Sequence, residues 1–209
     1  MARPKTPILS PERIRRAALD LVDRDGLEGL SMRRLAGELG VQAASLYGHY
    51  RTKDDLLHDI ANEIMEKVDV SGFEGGDWRH GLTVWARSYR AALAAHPHMV
   101  PFIAMGPGRR EASLRRADAV HGGLTGAGWP PRMATLIGAA TKYLVVGAAI
   151  NSFARGFDDD VRVYLDRYPN LSQAHRLSEH AAHIDGDGFD LALSAFLDGL
   201  ADRFPPRSD

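Results

Sequence analysis

The stretch Leu30-Ser31-Met32-Arg33-Arg34-Leu35-Ala36-Gly37-Glu38-Leu39-Gly40-Val41-Gln42-Ala43-Ala44-Ser45-Leu46-Tyr47-Gly48-His49-Tyr50 decides the fold. It reads as two short helices joined by a tight turn. Ser31 stands where a hydroxyl caps the run Met32 to Leu39, and Gly40 follows as the residue that takes a left-handed helix end at no steric cost. Leu35, Ala36 and Leu39 face inward from the first helix and Leu46 from the second. Ala36 is small where the helices must approach, and Val41 fills the gap behind the turn. This spacing is that of a helix-turn-helix, whose second helix can enter a major groove.

The polar remainder has the chemistry of a nucleic-acid reader. Gln42 and Ser45 are short polar groups at the front of the second helix, and the methyls of Ala43 and Ala44 can touch thymine. Tyr47, His49 and Lys53 sit where hydroxyl, imidazole and ammonium can hold phosphates, with the amides of the helix after Thr52 as further donors. On pattern alone, an ordinary helical hairpin with solvated polar residues fits the same stretch equally well.

Outward from this unit the periodicity stays helical, with no convincing run of alternating β-branched residues. Ser10-Pro11 opens a helix carrying Ile14, Ala17, Ala18, Leu21 and Val22, which Gly26 stops. The recognition helix is expected roughly from Ala43 to Tyr50. Thr52 caps a longer helix with Leu56, Leu57, Ile60, Ile64 and Val68 on one face. Ser71 to Gly76 is the clearest break in composition. Beyond it, Asp77 caps a helix with Trp78, Leu82, Trp85, Tyr89 and Leu93 on a stripe that His96-Pro97 ends. A segment around Phe102 leads to Gly106-Pro107-Gly108 and a helix from Arg109 to about Thr125. Pro131 starts a long apolar helix. Asp158-Asp159-Asp160 and Pro169-Asn170 mark an irregular connection, and a last helix is expected from Phe189 to Phe204. The expectation is an all-α chain. A three-helix helix-turn-helix domain with a basic arm occupies residues 1–70, and a larger helical domain occupies residues 71–209.

Composition narrows the function. The 209 residues carry 26 Lys+Arg against 27 Asp+Glu, which excludes a polybasic chain that coats nucleic acid by charge alone. The charge is uneven, however. Arg3, Lys5, Arg13, Arg15 and Arg16 face only Glu12 at the front, whereas eleven acids outweigh five bases after Gly156. A 44% share of hydrophobic residues suits a sizeable core, and the absence of cysteine excludes disulfide frameworks and zinc ribbons and fits a reducing cytoplasm. Met1 to Pro11 has no apolar core of the kind a secretory leader needs. The apolar stretch Met133 to Ala154 holds Lys142 near its middle and is diluted by Gly138 and Gly147, so a buried helix of a soluble protein is expected and no membrane partner.

From about Ile14 to Met65 the chain resembles the DNA-binding domain of the TetR/AcrR family of one-component transcriptional regulators. The resemblance runs through Gly29 to Ala36, Leu39-Gly40-Val41, Ser45-Leu46-Tyr47, His49-Tyr50 and Lys53 to Leu57. It implies a two-domain homodimer on a palindromic, double-stranded operator, usually released by a small effector bound in the C-terminal domain. The nearest likeness is to the tetracycline-repressor branch. There Arg33 falls on a guanine-reading arginine; Gln42, Ala43 and Ser45 fall on base-reading positions; Tyr47 and His49 fall on recognition-helix contacts; and Lys53 falls on a phosphate contact. Gly48 departs from that branch, which has a bulky aromatic, so the operator is not transferable.

In the sensor domain the same likeness puts Trp85 where the branch has an amide. Tyr143, Gly147 and Asn151 stand where it has a His, a Gly and a Glu, so tetracycline–magnesium sensing is not expected. What remains is an expected effector pocket bounded by Trp85, Tyr89, Phe102, Met105, Val120, Met133 and Tyr143, with Asn151 as polar anchor. Such walls suit a planar or hydrophobic ligand, while an aromatic stripe at helical spacing is also what an ordinary core provides. The last helix and part of the Ala-rich helix are expected to form a four-helix dimer interface.

Other signals carry less. His180 and His183 beside Glu179, and His96 and His98 around Pro97, lack the further ligands a metal needs. Asp185-Gly186-Asp187-Gly188 has Phe189 and Phe196 where a calcium loop needs oxygen, and is expected to precede the last helix. No dinucleotide fingerprint follows a strand and no nucleophile elbow occurs. No metal, cofactor or catalytic group is therefore expected. Two alternatives to a repressor stand: a helical small-molecule carrier or enzyme that keeps the module as scaffold, and a regulator that activates.

Overall fold

The computed structural model describes residues 9–105, 110–150, 152–165 and 167–203, apart from the side chains of Met105 and Arg203. Helix α1 (Pro11–Gly29) starts where Ser10 Oγ accepts the Arg13 amide at 3.2 Å and Pro11 supplies a preset φ. Gly26 interrupts it at φ 74°, and a last turn runs on to Gly29, so the expected stop is a kink. Helix α2 (Met32–Leu39) is capped by Ser31 and ended by Gly40 at φ 67°, as its residue types dictate. The Val41 amide then reaches back to the Ala36 carbonyl at 3.0 Å, closing the turn.

Helix α3 is shorter than expected, Ala43–Tyr47, because the amides of His49 and Tyr50 both turn back to the Leu46 carbonyl. Helix α4 (Lys53–Glu66) begins in a reciprocal box of Thr52 and Asp55.

Beyond α4 follow α5 (Trp78–Ala94), α6 (Val100–Met105), α7 (Glu111–Gly126), α8 (Pro131–Ile150) and α9 (Ala181–Arg203). No strand occurs among the described residues. Asp77 caps α5 as expected, accepting from the amides of Arg79 and His80. The acidic stretch between α8 and α9 is a string of single 3-10 turns. Tyr164 pins it, its hydroxyl bonding the amide and carbonyl of Asp158. Gly106-Pro107-Gly108, Asn151, Asp166, Phe204 and the start of the basic arm lie outside the described residues.

Two expectations fail. The last helix starts at Ala181, so Asp185-Gly186-Asp187-Gly188 lies inside it and not ahead of it. Each helical glycine costs about 1 kcal/mol relative to alanine. Burial of Ala181, Phe189, Leu193, Leu197 and Leu200, and packing of α9 along α8, outweigh that cost. Nor is α8 a buried helix. It is long and apolar enough to cross a membrane, with mean hydropathy 1.6, yet in the chain only Ala134, Ile137, Thr141 and Val145 are buried.

The chain divides into two compact units, one from Met1–Val68 with Ala92–Arg115, the other from Asp69–Ala91 with Arg116–Asp209. The first is built around Ile14, Leu21, Leu35, Leu46, Leu56, Ile60 and Met99, all essentially inaccessible. At about 1.5–3 kcal/mol for each fully buried large aliphatic side chain, these contacts hold helices too short to persist alone. The second is built around Leu82, Trp85, Tyr89, Leu124, Trp129, Ile137 and Leu193. In it Trp78 and Trp129 meet edge to face at 5.2 Å.

Candidate nucleic-acid interface

The first unit sorts its helix-turn-helix residues cleanly by face. Leu35, Ala36, Leu39 and Leu46 are buried, whereas Arg33, Gln42, Ala44, Ser45, Tyr47 and His49 are exposed; Ala43 and Lys53 are half-buried. Tyr47 has 51% of its surface open, unusual for a large aromatic unless something is to meet it. Of the exposed set Ala44, Ser45 and Tyr47 lie on α3, whose opposite side is anchored by Leu46, while Gln42 precedes that helix, His49 follows it and Arg33 lies on α2.

Two adjacent arginines have different tasks. Arg34 donates to the Gly29 carbonyl at 3.0 Å and to Asp25, while Arg24 bridges Asp25 at 3.0 Å and Glu38 at 2.7 Å. Hydrogen bonding from Arg24, then the charge of Arg34, holds the Asp25 carboxyl below the usual carboxylate range. This lattice ties the kinked end of α1 to α2. Arg33 has no ion pair or hydrogen bond among the described residues, so its fork of donors stays available to a base.

Lys53 donates to the Leu27 carbonyl at 2.7 Å, which ties the start of α4 to the tail of α1 and leaves two ammonium protons for an outside acceptor. The amides of Thr52 and Asp55 are taken up by their capping box. The expected set of phosphate-facing amides at this helix start is therefore reduced to those of Lys53 and Asp54, with two carboxylates alongside. Arg51, exposed next to His49, supplies a cation that the helix-turn-helix spacing does not single out.

Behind the interface, Arg15 holds Glu63 at 2.6 Å and Asp59 at 3.0 Å, and Asp59 also accepts the Tyr50 hydroxyl at 2.6 Å. The histidines around Pro97 brace α1: His96 bonds Asp23 at 2.8 Å, and His98 lies 2.9 Å from the Val22 carbonyl. Phe102 belongs to this first unit, its ring under Arg110 at 5.2 Å and tilted against His58 at 5.0 Å.

In the second unit, Trp85 and Tyr89 stack at 6.3 Å, and Arg116 lies over the Tyr89 ring at 4.9 Å. Val120 is buried one turn along α7 from Arg116, and Met133 is half-buried. Tyr143 is 74% exposed; with Gly147 it lines an open groove of about 440 Å³ that also includes Leu144, Phe153 and Ile184. The structure thus brings Trp85 and Tyr89 together, and places Tyr143 on an open face. The side chain of Met105 and all of Asn151 are outside the described residues. Among the described residues no cluster of three or more His, Asp or Glu is arranged to hold a metal.

Residues 14–60 match the family model of bacterial regulatory proteins, tetR family, and residues 73–204 match that of the tetracyclin repressor-like C-terminal domain. An HTH-type transcriptional regulator of Saccharopolyspora erythraea is 33% identical over 142 residues, covering 68% of this chain and 60% of that protein. The tetracycline repressor protein class A from transposon 1721 of Escherichia coli is 33% identical over 199 residues, covering 93% of this chain and 92% of the repressor. Among solved structures, the Streptomyces coelicolor TetR family protein ActR in complex with (S)-DNPA superposes with a TM-score of 0.72 at 27% identity, covering 94% of this chain and 99% of ActR.

Proposed function

The chain belongs to the tetR family of bacterial regulatory proteins, a transcriptional regulator and not an enzyme, and from that premise we propose that it is a cytoplasmic, effector-released repressor. Residues 1–70 form the DNA-binding domain and residues 71–209 the sensor and dimerisation domain. Two copies present their α3 helices to a palindromic operator, one per half-site about 34–36 Å apart. Arg33, Gln42, Ala43, Ala44 and Ser45 read bases; Tyr47, His49 and Lys53, with Arg51, hold phosphates. A mostly hydrophobic or aromatic molecule bound around Trp85, Tyr89, Val120 and Met133 releases the complex. ActR, solved with a small molecule, is a relative of similar fold that supports a ligand-binding sensor.

The observation that carries this reading is the division of residues 33–49 into a buried apolar side and an exposed row of readers with Arg33 unengaged. The test is footprinting of the purified full chain on DNA flanking its own gene. A protected palindrome is expected, with affinity falling steeply as salt rises. Arg33→Ala should weaken operator binding by on the order of 1–3 kcal/mol and relax preference at one base pair of each half-site. Failure to protect any flanking sequence at low salt refutes the assignment.

A further inference from the structure

The open groove of about 440 Å³ between α8 and α9 has one charged residue in its lining, Asp185. Leu144, Ile184 and the buried ring of Phe189 supply apolar walls, and Tyr143 and Phe153 add two rings that are 74% and 68% exposed. The carboxylate and one of these rings are joined directly, because Asp185 Oδ1 accepts the Phe153 amide at 3.1 Å. Phe153 is held in turn by an edge-to-face contact with Phe157 at 5.1 Å. No cation pairs with the half-buried Asp185 among the described residues. Lys142 and Arg155 are exposed outside the lining, and Arg90 of α5 lies over the Phe189 ring at 5.0 Å without lining the groove.

An unpaired carboxylate beside open aromatic faces is the chemistry that holds an organic cation. The carboxylate neutralises the charge, the ring faces attract it, and the aliphatic walls take the apolar body. The same carboxylate argues against the competing occupant. Tyr143 lies on α8 between the exposed Leu136 and Ile150, so a side chain of a second copy is the other candidate. An apolar side chain seated there would strip water from Asp185 and offer its charge no partner, which is costly.

We propose that this groove binds a hydrophobic organic cation, an aryl-bearing ammonium whose charge pairs with Asp185 and lies against the rings of Phe153 and Tyr143. The site is separate from the effector position around Trp85 and Tyr89, neither of which lines the groove. Binding there needs no DNA, so it stands apart from the repressor reading.

The full chain is titrated calorimetrically at pH 7.5 with three compounds that share one ring body: 2-naphthylmethylammonium, the neutral 2-naphthalenemethanol and the anionic 2-naphthoate. The ammonium should bind 10-fold or more tightly than the alcohol, and the carboxylate should bind weakest. Asp185→Asn keeps an oxygen for the Phe153 amide and removes only the charge, so it should bring ammonium and alcohol to near parity. Tyr143→Ala, at an exposed position, should weaken the ammonium several-fold with helical circular dichroism unchanged, and is read in place of the Asn variant should that one not fold. An alcohol bound as tightly as the ammonium, or no binding of the ammonium, overturns the proposal. So does a cation preference that survives Asp185→Asn or, in its place, an ammonium affinity unmoved by Tyr143→Ala. Sedimentation runs alongside: an ammonium that binds only as an assembly of copies splits into single chains shows the groove to be filled by a second copy, and this too overturns the proposal.

Discussion

Tyr50 shows how one hydroxyl can tie the end of the helix-turn-helix to α4 and, through Asp59, to α1. It follows α3, its ring is buried, and its hydroxyl donates to Asp59 on α4, which Arg15 of α1 also holds. Burial, then the bond to Asp59, pushes the Tyr50 phenol up to about 12. The folded value lies above the unfolded one of about 10. The stabilisation is therefore complete below pH 10 and is lost as the pH rises towards 12. An alkaline spectrophotometric titration should contain one tyrosine that ionises near 12, and Tyr50→Phe should remove that phase and cost on the order of 1 kcal/mol in denaturant. A titration unchanged by the substitution means that another tyrosine carries the phase. The neighbouring arginines bear a second residue-scale lesson. Nothing in the string Met32-Arg33-Arg34-Leu35 distinguishes the two, yet Arg34 is spent on Asp25 and the Gly29 carbonyl while Arg33 makes no such bond among the described residues. Only the likeness to known repressors, not the local pattern, singles out Arg33.

At the level of elements, the segment Ser71 to Gly76 sends Gly72 and Phe73 into the core. Phe73 is buried, and its ring lies in a slot floored by two glycines: a Cβ on Gly81 would fall 2.3 Å from the ring and one on Gly123 2.4 Å. Gly122, its neighbour on α7, has nothing within 4 Å. The two therefore respond oppositely to alanine. Gly122→Ala should stabilise by about 0.5–1 kcal/mol through helix propensity. Gly123→Ala gains the same propensity but must displace Phe73, for which overpacking costs about 1–3 kcal/mol, so it should lower the melting temperature. Equal shifts in thermal unfolding would mean that the slot yields freely. The same slot explains what was legible. Ser10, Ser31, Gly40 and Thr52 act on backbone groups within a few residues, so helix starts and the recognition turn follow from the string itself. The contact of Phe73 with Gly81 and Gly123 is made across the chain, where residue type carries no such mark. The α9 start is obscured for a related reason: Gly186 and Gly188 punctuate locally, and packing overrules them.

On the scale of the whole molecule, the decisive feature is an apolar face that the described residues leave uncovered. On α8, Leu136, Tyr143 and Ile150 are 45%, 74% and 60% exposed. They recur every seven residues, which keeps them on one side of the helix, and Leu191 on α9 is likewise 73% exposed. The operator of the proposed repressor, read twice, needs two reading heads at fixed spacing, and a twofold seam on these helices would supply that spacing. In the proposed complex each copy binds only half a site, so separating the copies would remove the gain from simultaneous engagement without touching a single DNA contact. Replacing Ile150 and Leu191 together by glutamate puts like charges into the proposed seam. The double variant should sediment near the 22.9 kDa of one chain, keep its helical circular dichroism, and lose operator affinity by 100-fold or more, on the order of what linked sites contribute. Arg33→Ala, by contrast, should weaken the operator while sedimentation stays that of a dimer. A double variant that remains dimeric and binds normally places the seam elsewhere and leaves the α8 face to be covered by something other than a second copy.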